Sequence, residues 1–277
     1  MKIIAVHTYA GAAREIANRI KNPVDDEALQ QAAEEMAPHV PEGATLVPAP
    51  SSTGLNRAML VLSKYISQIV PGAIILEAVI RERPVASSLM LRRSGRRGVP
   101  LEDHIASMKL VERPRLEHPV VVIDNVVTSG NTIAAIEKHL GREVIGLAYA
   151  DARRGGVRTN PSDKPRVCIS GSRGYKNLDN VGFVLEGLPR DSIIVHGGAV
   201  GVDAEADRVA RELGFEIEVF NPNWNKFGKS AGPLRNREMV KTCDQLIAFW
   251  DGTSRGTASA IAVANELNVP TEVILDE

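Results

Sequence analysis

Short apolar runs alternate with amphipathic stretches along the whole chain. Runs rich in β-branched residues predict strands, and segments with apolar residues every three or four positions predict helices. In the first half, the predicted strands lie near Thr45–Val47, Ile74–Ala78, Val120–Ile123 and Val144–Ala148. The predicted helices lie near Ala12–Ile20, Asp26–Met36, Leu55–Val70 and Thr132–Leu140. This alternation indicates an α/β fold on a mainly parallel sheet.

The same alternation begins again after a polar interruption. Residues 151–165 are rich in Gly, Pro and charge and lack apolar periodicity, which is typical of a linker. Beyond them, strands are predicted at Val167–Ile169, Ile193–Val195, Ile217–Phe220, Leu246–Trp250 and Val273–Leu275. Helices are predicted at Leu178–Leu188, Ala204–Leu213, Pro233–Thr242 and Thr257–Leu267. We therefore predict two α/β domains, residues 1–152 and 166–277, joined by a linker at 153–165.

Composition argues against several classes of protein but does not identify a function. The 277 residues carry a net charge of −1, and 44% are hydrophobic. This balance gives no sign of non-specific binding to nucleic acid or to a membrane surface. No apolar run approaches the roughly 20 residues of a membrane span, and the first ten residues become polar too quickly for a signal peptide. The sequence predicts a cytoplasmic protein without a membrane partner.

The segment from Val120 to Thr132 is the most informative stretch of the first half. Four β-branched residues predict a buried parallel strand, and Asp124 and Asn125 are expected to emerge at its carboxyl end. A loop containing Gly130 then leads into a helix that is predicted to begin near Thr132. Hydroxyls and backbone N–H groups at such a helix start can hold an anion.

This segment resembles the signature of type I phosphoribosyltransferases that binds phosphoribosyl pyrophosphate (PRPP). The resemblance implies that the 5′-phosphate is held by Thr128, Ser129, Gly130, Asn131 and Thr132. It implies catalytic roles for Asp124 and Asn125 at the ribose hydroxyls, Mg²⁺ as the cofactor, and contact of Asp124 with that metal through the ribose. Asn125 departs from the family, which usually has a second acid there.

Two further segments fit the resemblance. The turn in residues 46–57 is similar to the family's pyrophosphate loop, which implies diphosphate contacts from Ser51, Ser52, Thr53, Gly54 and Arg57. Residues 81–97 contain six arginines, and their position matches the family's flexible loop, which implies closure over the diphosphate by Arg92, Arg93, Arg96 and Arg97. The pattern of Tyr9, Gly11, Arg14 and Lys21 resembles the competence-associated branch of these enzymes.

Glycine-rich turns follow successive predicted strands of the second half. Each turn alone is common in α/β folds, but three of them together with a paired Arg-Asn favour a ligand site. The candidate nucleotide-binding residues are Gly171, Ser172, Arg173, Gly197, Gly198, Ala199, Gly201, Asp203, Arg235, Asn236, Asp251, Gly252, Ser254, Gly256 and Thr257. The G-x-G-x-x-G dinucleotide pattern is absent, so an ordinary dehydrogenase site is not predicted.

These turns resemble the SLOG superfamily, and its YspA-like branch in particular, over nearly all of residues 166–277. The resemblance implies a Rossmann-like fold, a nucleotide-like ligand and a homo-oligomer. In the related phosphoribohydrolases a catalytic Glu follows the phosphate turn, and here that position falls on or near Ala260. Asp203 and Asp251 are the nearby carboxylates.

Three hypotheses therefore remain open from the sequence. The first is a phosphoribosyltransferase that uses PRPP or a ribonucleotide, with a second domain that binds or cleaves a related nucleotide. The second is a nucleotide sensor in which both domains have lost turnover, which Asn125 and the missing Glu favour. The third is a competence-type protein that handles single-stranded DNA, for which Trp224, Lys226, Phe227 and Lys229 could supply a small basic, aromatic surface.

Overall fold

The computed structural model describes residues 1–115, 117–153 and 164–276. These residues form two compact units. The first contains the described residues up to Arg153 except Leu89–Arg97, and the second contains Leu89–Arg97 together with the described residues from Lys164 onward. Most of the predicted linker lies outside the described residues. Within the described chain, no helix has both the length and the apolar character needed to span a bilayer.

Strands and helices alternate through the first 153 residues. The strands are β1 (Lys2–Thr8), β2 (Thr45–Pro48), β3 (Ile74–Ile75), β4 (Val79–Arg81), β5 (Met108–Leu110), β6 (Val120–Val127) and β7 (Ile145–Asp151). The helices are α1 (Gly11–Arg19), α2 (Asp26–Met36), α3 (Ala58–Ile69), α4 (Ser88–Arg93), α5 (Leu101–Ser107) and α6 (Asn131–Leu140). A parallel sheet has the order β1-β7-β6-β2-β3, and β4 and β5 form a separate antiparallel pair.

The central strand β6 is buried by helices on both faces of this sheet. Val121 and Ile123 pack in one cluster with residues of α1, α2 and α3, whereas Val120 and Val122 pack in a second cluster with residues of α6. Burial on both faces explains why the first half of the strand, Val120–Ile123, is a continuous apolar run. Its predicted end at Ile123 was wrong, because the residues from Asp124 to Val127 continue to pair with β7.

The second unit repeats this architecture. Its strands are β8 (Arg166–Gly171), β9 (Ile193–His196), β10 (Glu216–Val219), β11 (Gln245–Trp250) and β12 (Thr271–Leu275). Its further helices are α7 (Asp179–Glu186), α8 (Val202–Glu212), α9 (Trp224–Phe227), α10 (Ala231–Lys241) and α11 (Arg255–Glu266). The sheet is parallel throughout with the order β10-β9-β8-β11-β12. The predicted α/β class with two parallel sheets flanked by helices is confirmed.

Candidate functional site

The second unit has a cleft where the strand order of its sheet reverses. The chain runs from β8 to β9 and β10 on one side, and then returns to β11 on the other side of β8. Loops that leave the carboxyl ends of β8 and β11 diverge there, which is where open parallel sheets bind ligands. A cavity of about 360 Å³ lies at this position, lined by Ser170, Gly171, Arg173, Gly174, Ala199, Asp203, Arg235, Asn236, Asp251, Ser254 and Gly256.

The guanidinium of Arg235 lies directly against the backbone of Gly197. A β-carbon on Gly197 would be only 1.6 Å from Nη1 of Arg235, so any side chain at this position would displace the arginine. Arg235 is oriented by two donated hydrogen bonds, from Nε to Oδ1 of Asn236 and from Nη1 to the carbonyl of Phe220, both at 3.0 Å. The close packing explains why a glycine begins the turn after β9.

Arginines line the cleft together with two carboxylates, Asp203 and Asp251. Arg173 and Arg235 line it, and Arg255 begins α11 at its edge. Among the described residues, none of these three arginines has a carboxylate within ion-pair distance, whereas Arg208, Arg211 and Arg237 on nearby helices are all paired. The three arginines are therefore available to an anionic ligand.

Asp203 closes the glycine-rich turn from the inside. Its Oδ2 accepts hydrogen bonds from the N–H groups of Gly197 (3.0 Å) and Ala199 (3.2 Å), and the residue is only 4% exposed. Burial raises the pKa of Asp203 above its ordinary value, although the Ala199 N–H and the charge of Arg235 act in the opposite direction. Because these two N–H groups are already occupied, the turn shapes the cleft and does not offer them to a ligand.

The turn after β11 is organised by a second aspartate. Oδ1 of Asp251 accepts from the N–H groups of Thr253 (2.9 Å) and Ser254 (2.7 Å). The N–H of Asp251 donates in turn to Oγ of Ser172 at 3.1 Å, which ties the loop after β8 to this turn. The N–H groups in the first turn of α11, beginning with Arg255, have no helical carbonyl to bind and lie beside the cleft at Gly256.

The structure brings most of the residues predicted for this site together. Those that line the cleft are Gly171, Arg173, Ala199, Asp203, Arg235, Asn236, Asp251, Ser254 and Gly256. Gly197, Gly198, Gly201 and Gly252 lie in the supporting turns, and Ser172 and Thr257 are buried, with their hydroxyls 3.4 Å apart. Ala260, at the position of the missing Glu, is fully buried in α11. The helix predicted to start at Pro233 begins two residues earlier, at Ala231.

The first unit has its own reversal of strand order, between β2 and β6. The loop containing Ser51–Gly54 follows β2, and the loop containing Thr128–Gly130 follows β6, so both leave the carboxyl ends of adjacent parallel strands. Oγ of Ser129 accepts from the N–H of Asn131 at 3.2 Å, and Gly130 has a φ of 85° immediately before α6. A residue other than glycine rarely adopts this backbone conformation.

Asp124 and Asn125 have different environments. Burial raises the pKa of Asp124 to about 6, although the N–H groups of Asn125 and Val126 and the charges of Lys21 and Arg81 act to lower it. The amide of Asn125 is buried and donates to the carbonyl of Ala17 in α1 at 3.0 Å. Asn125 therefore ties β6 to α1, and its contact with a ribose hydroxyl stays a prediction.

The turn after β2 rests on a buried arginine whose role the sequence did not reveal. Nε of Arg81 donates to the carbonyl of Ser51 at 2.7 Å, and its guanidinium also contacts Ser107 and His104 in α5. Burial, followed by the charge of Arg81, lowers the pKa of His104 to about 4. Arg81 belongs to the basic segment noted in the sequence, but only the pairing of β4 with β5 places it beneath this turn.

Of the other predicted cations of the first half, Arg57, Arg93 and Arg96 have partners of their own. Arg57 forms an ion pair with Glu77. Arg93 donates to the carbonyl of Asn268, and Arg96 pairs with Asp191, both within the second unit, where Arg92 and Arg97 also belong. Closure of this segment over a diphosphate stays a prediction. Among the described residues, no group of three His, Cys, Asp or Glu side chains could hold a metal ion.

Comparison with known proteins finds a family match in the second unit and a relative among phage proteins. Residues 165–227 match the family described as YspA, cpYpsA-related SLOG. The Gene 61 protein of Mycobacterium phage D29 is 39% identical to this chain over 115 residues, which cover 38% of this chain and 92% of the phage protein.

Proposed function

The chain belongs to the YspA, cpYpsA-related SLOG family through its second unit, and from this we propose that the unit binds a nucleotide by its phosphoribosyl end. The family is nucleotide-related, and the cleft at β8 and β11 has the chemistry that a sugar phosphate requires. The phosphate lies between Arg173, Arg235 and the first turn of α11. The carboxylate of Asp203 accepts a hydrogen bond from a ribose hydroxyl.

One observation carries this proposal: Arg173 and Arg235 line the cleft, and within the described residues no carboxylate, including the lining Asp203 and Asp251, lies within ion-pair distance of either arginine. A cation held in a crevice is favourable where an anionic ligand completes its interactions, and a guanidinium matches phosphate oxygens in two-pronged geometry. The start of α11 adds N–H donors and the positive end of a helix dipole.

Titration calorimetry with AMP, ribose 5-phosphate and adenosine tests the phosphate grip. AMP and ribose 5-phosphate are expected to bind and adenosine to bind far more weakly. Arg235→Met should weaken AMP binding at least about 10-fold, since a charged hydrogen bond contributes roughly 1.5–3 kcal/mol. The matched control is Arg237→Met in the same helix, because Arg237 pairs with Glu266 outside the cleft and should leave the affinity unchanged. Equal binding of adenosine and AMP would contradict the proposal.

For the first unit we propose a phosphoribosyltransferase-type site at the carboxyl ends of β2 and β6. The observation in its favour is that Asp124 lies on β6, next to β2 at a reversal of strand order, and that the loops containing Thr128–Gly130 and Ser51–Gly54 leave the carboxyl ends of these two strands. Asp124 would hold the ribose hydroxyls while the start of α6 holds the 5′-phosphate. The bond from C1 to diphosphate then breaks and an acceptor nucleophile attacks C1.

The first site suits a Mg²⁺ ion that is coordinated jointly by the protein and the substrate. It commonly binds through one or two carboxylates together with substrate phosphates, so Asp124 suffices on the protein side. Bound there, it would neutralise the departing diphosphate.

Binding of PRPP and release of diphosphate test the first site separately. Wild-type protein is expected to bind PRPP in the presence of Mg²⁺, and Asp124→Asn to lose most of that affinity. Asp103→Asn, an exposed carboxylate of α5, is the control. Tight binding without diphosphate release over a panel of bases would favour a sensor over an enzyme. Absence of PRPP binding would exclude both readings of this unit.

A further inference from the structure

The short helix α9 presents aromatic side chains to solvent in an ordered way. Trp224 is 55% exposed and Phe227 is 42% exposed, and no residue of this helix is buried. The helix is nonetheless well defined, because Asn223 caps it through a hydrogen bond from the N–H of Lys226 to its side-chain oxygen at 3.0 Å. Large aromatic side chains held outward on a capped turn suit contact with a ligand.

Trp224 lies against the face of α10 that also carries two residues of the cleft that we propose binds a nucleotide. Its Cη2 is 3.5 Å from the position that a β-carbon on Gly232 would take. Gly232, Arg235 and Asn236 are spaced at i, i+3 and i+4 in α10 and therefore share one face of that helix. Arg235 and Asn236 line the cleft, so the indole sits about one helical turn from it on the same face.

The cleft itself lacks a surface for a nucleobase. Its lining within the described chain consists of small, polar and charged residues, with no aromatic side chain. Such a lining suits a phosphate and a ribose, but a planar base needs an apolar face. Phe227 has Lys226 placed over its ring, with Nζ 4.9 Å from the centroid. No cation of the described residues is placed over the indole of Trp224 in this way.

We propose that Trp224 stacks on the base of the nucleotide whose phosphoribosyl end occupies the cleft. This inference rests on the proposed function of the second unit and extends it to the base. It assigns ligands with an aromatic base, rather than plain sugar phosphates, as the preferred class. Stacking is tolerant of base identity because every base offers a π-face.

Affinities of AMP and ribose 5-phosphate for matched variants test the proposal. Trp224→Ala should weaken AMP binding at least about 10-fold and leave the affinity for ribose 5-phosphate unchanged. Trp224→Phe should recover part of the loss, because it restores an aromatic face. Phe227→Ala, in the same helix, is the control and should change neither affinity.

Three other outcomes of these binding measurements would contradict the inference, and each has a different explanation. If Trp224→Ala weakens both ligands equally, the indole supports the fold of the cleft and does not stack on a base. If it weakens neither, the base lies elsewhere while the phosphate site stands. If wild-type protein binds neither ligand, the proposed function fails together with the inference.

Discussion

At the scale of single residues, Asp124 makes stability depend on pH. Its pKa is raised from 3.8 to about 6 in the folded protein, chiefly by burial. Between these values the unfolded chain has lost the proton while the folded protein keeps it, so the free energy of unfolding falls as pH rises from 4 to 6. Two pKa units correspond to about 3 kcal/mol.

Urea unfolding of wild type and Asp124→Asn between pH 4 and pH 7 measures this contribution. Across that window the unfolding free energy of wild type should fall relative to that of Asp124→Asn, because the amide of the variant does not ionise. A constant difference would mean that Asp124 titrates near its ordinary pKa.

A substitution at Gly197 tests the position of Arg235 without changing a charge. Gly197→Ala places a methyl group where Nη1 of Arg235 lies, and the flexible arginine must move away. The melting temperature should change little, while AMP affinity should fall about 10-fold. Gly174→Ala is the control, because Gly174 lines the same cleft and a β-carbon there meets open space. Equal effects of the two variants on affinity would argue against a role for the Arg235 position.

At the scale of elements, Gly171 sets the distance between β8 and α8. A β-carbon on Gly171 would lie 2.5 Å from Cβ of Val202, and Val202 is fully buried at the start of α8. Gly171→Ala should therefore destabilise the second unit by about 1–3 kcal/mol, the usual cost of overpacking. The double variant Gly171→Ala/Val202→Ala should recover part of the lost free energy of unfolding, as measured by denaturant unfolding. A double variant no more stable than Gly171→Ala would show that the strain lies elsewhere.

The elements also differ in how well the sequence predicts them. Buried parallel strands such as β8 and β11 are continuous apolar runs, and helices such as α2 carry a regular apolar stripe, so local pattern suffices for them. Strand β1 at the sheet edge is only half-buried, and β4 and β5 are three residues long and depend on pairing with each other, so local pattern did not predict them.

The candidate site also contains features that the sequence predicts and contacts that it does not. Glycines and polar residues at strand ends identified the turns of the cleft, because topology alone brings such ends together. The closure of the turn by Asp203, the stacking of Arg235 on Gly197 and the position of Arg81 under Ser51 are contacts between distant segments. No local signal in the sequence encodes them.

At the scale of the whole molecule, the two parallel sheets each have their own reversal of strand order and therefore their own ligand crevice. A ligand that binds only folded protein stabilises its unit by about 2.7 kcal/mol at 100 times its Kd. Hydrogen exchange followed by mass spectrometry should resolve this unit by unit. AMP should slow exchange in residues 171–174 and 251–256, and PRPP with Mg²⁺ should slow it in residues 51–54 and 128–131. If either ligand protected both sets equally, the assignment of separate sites to the two units would be wrong.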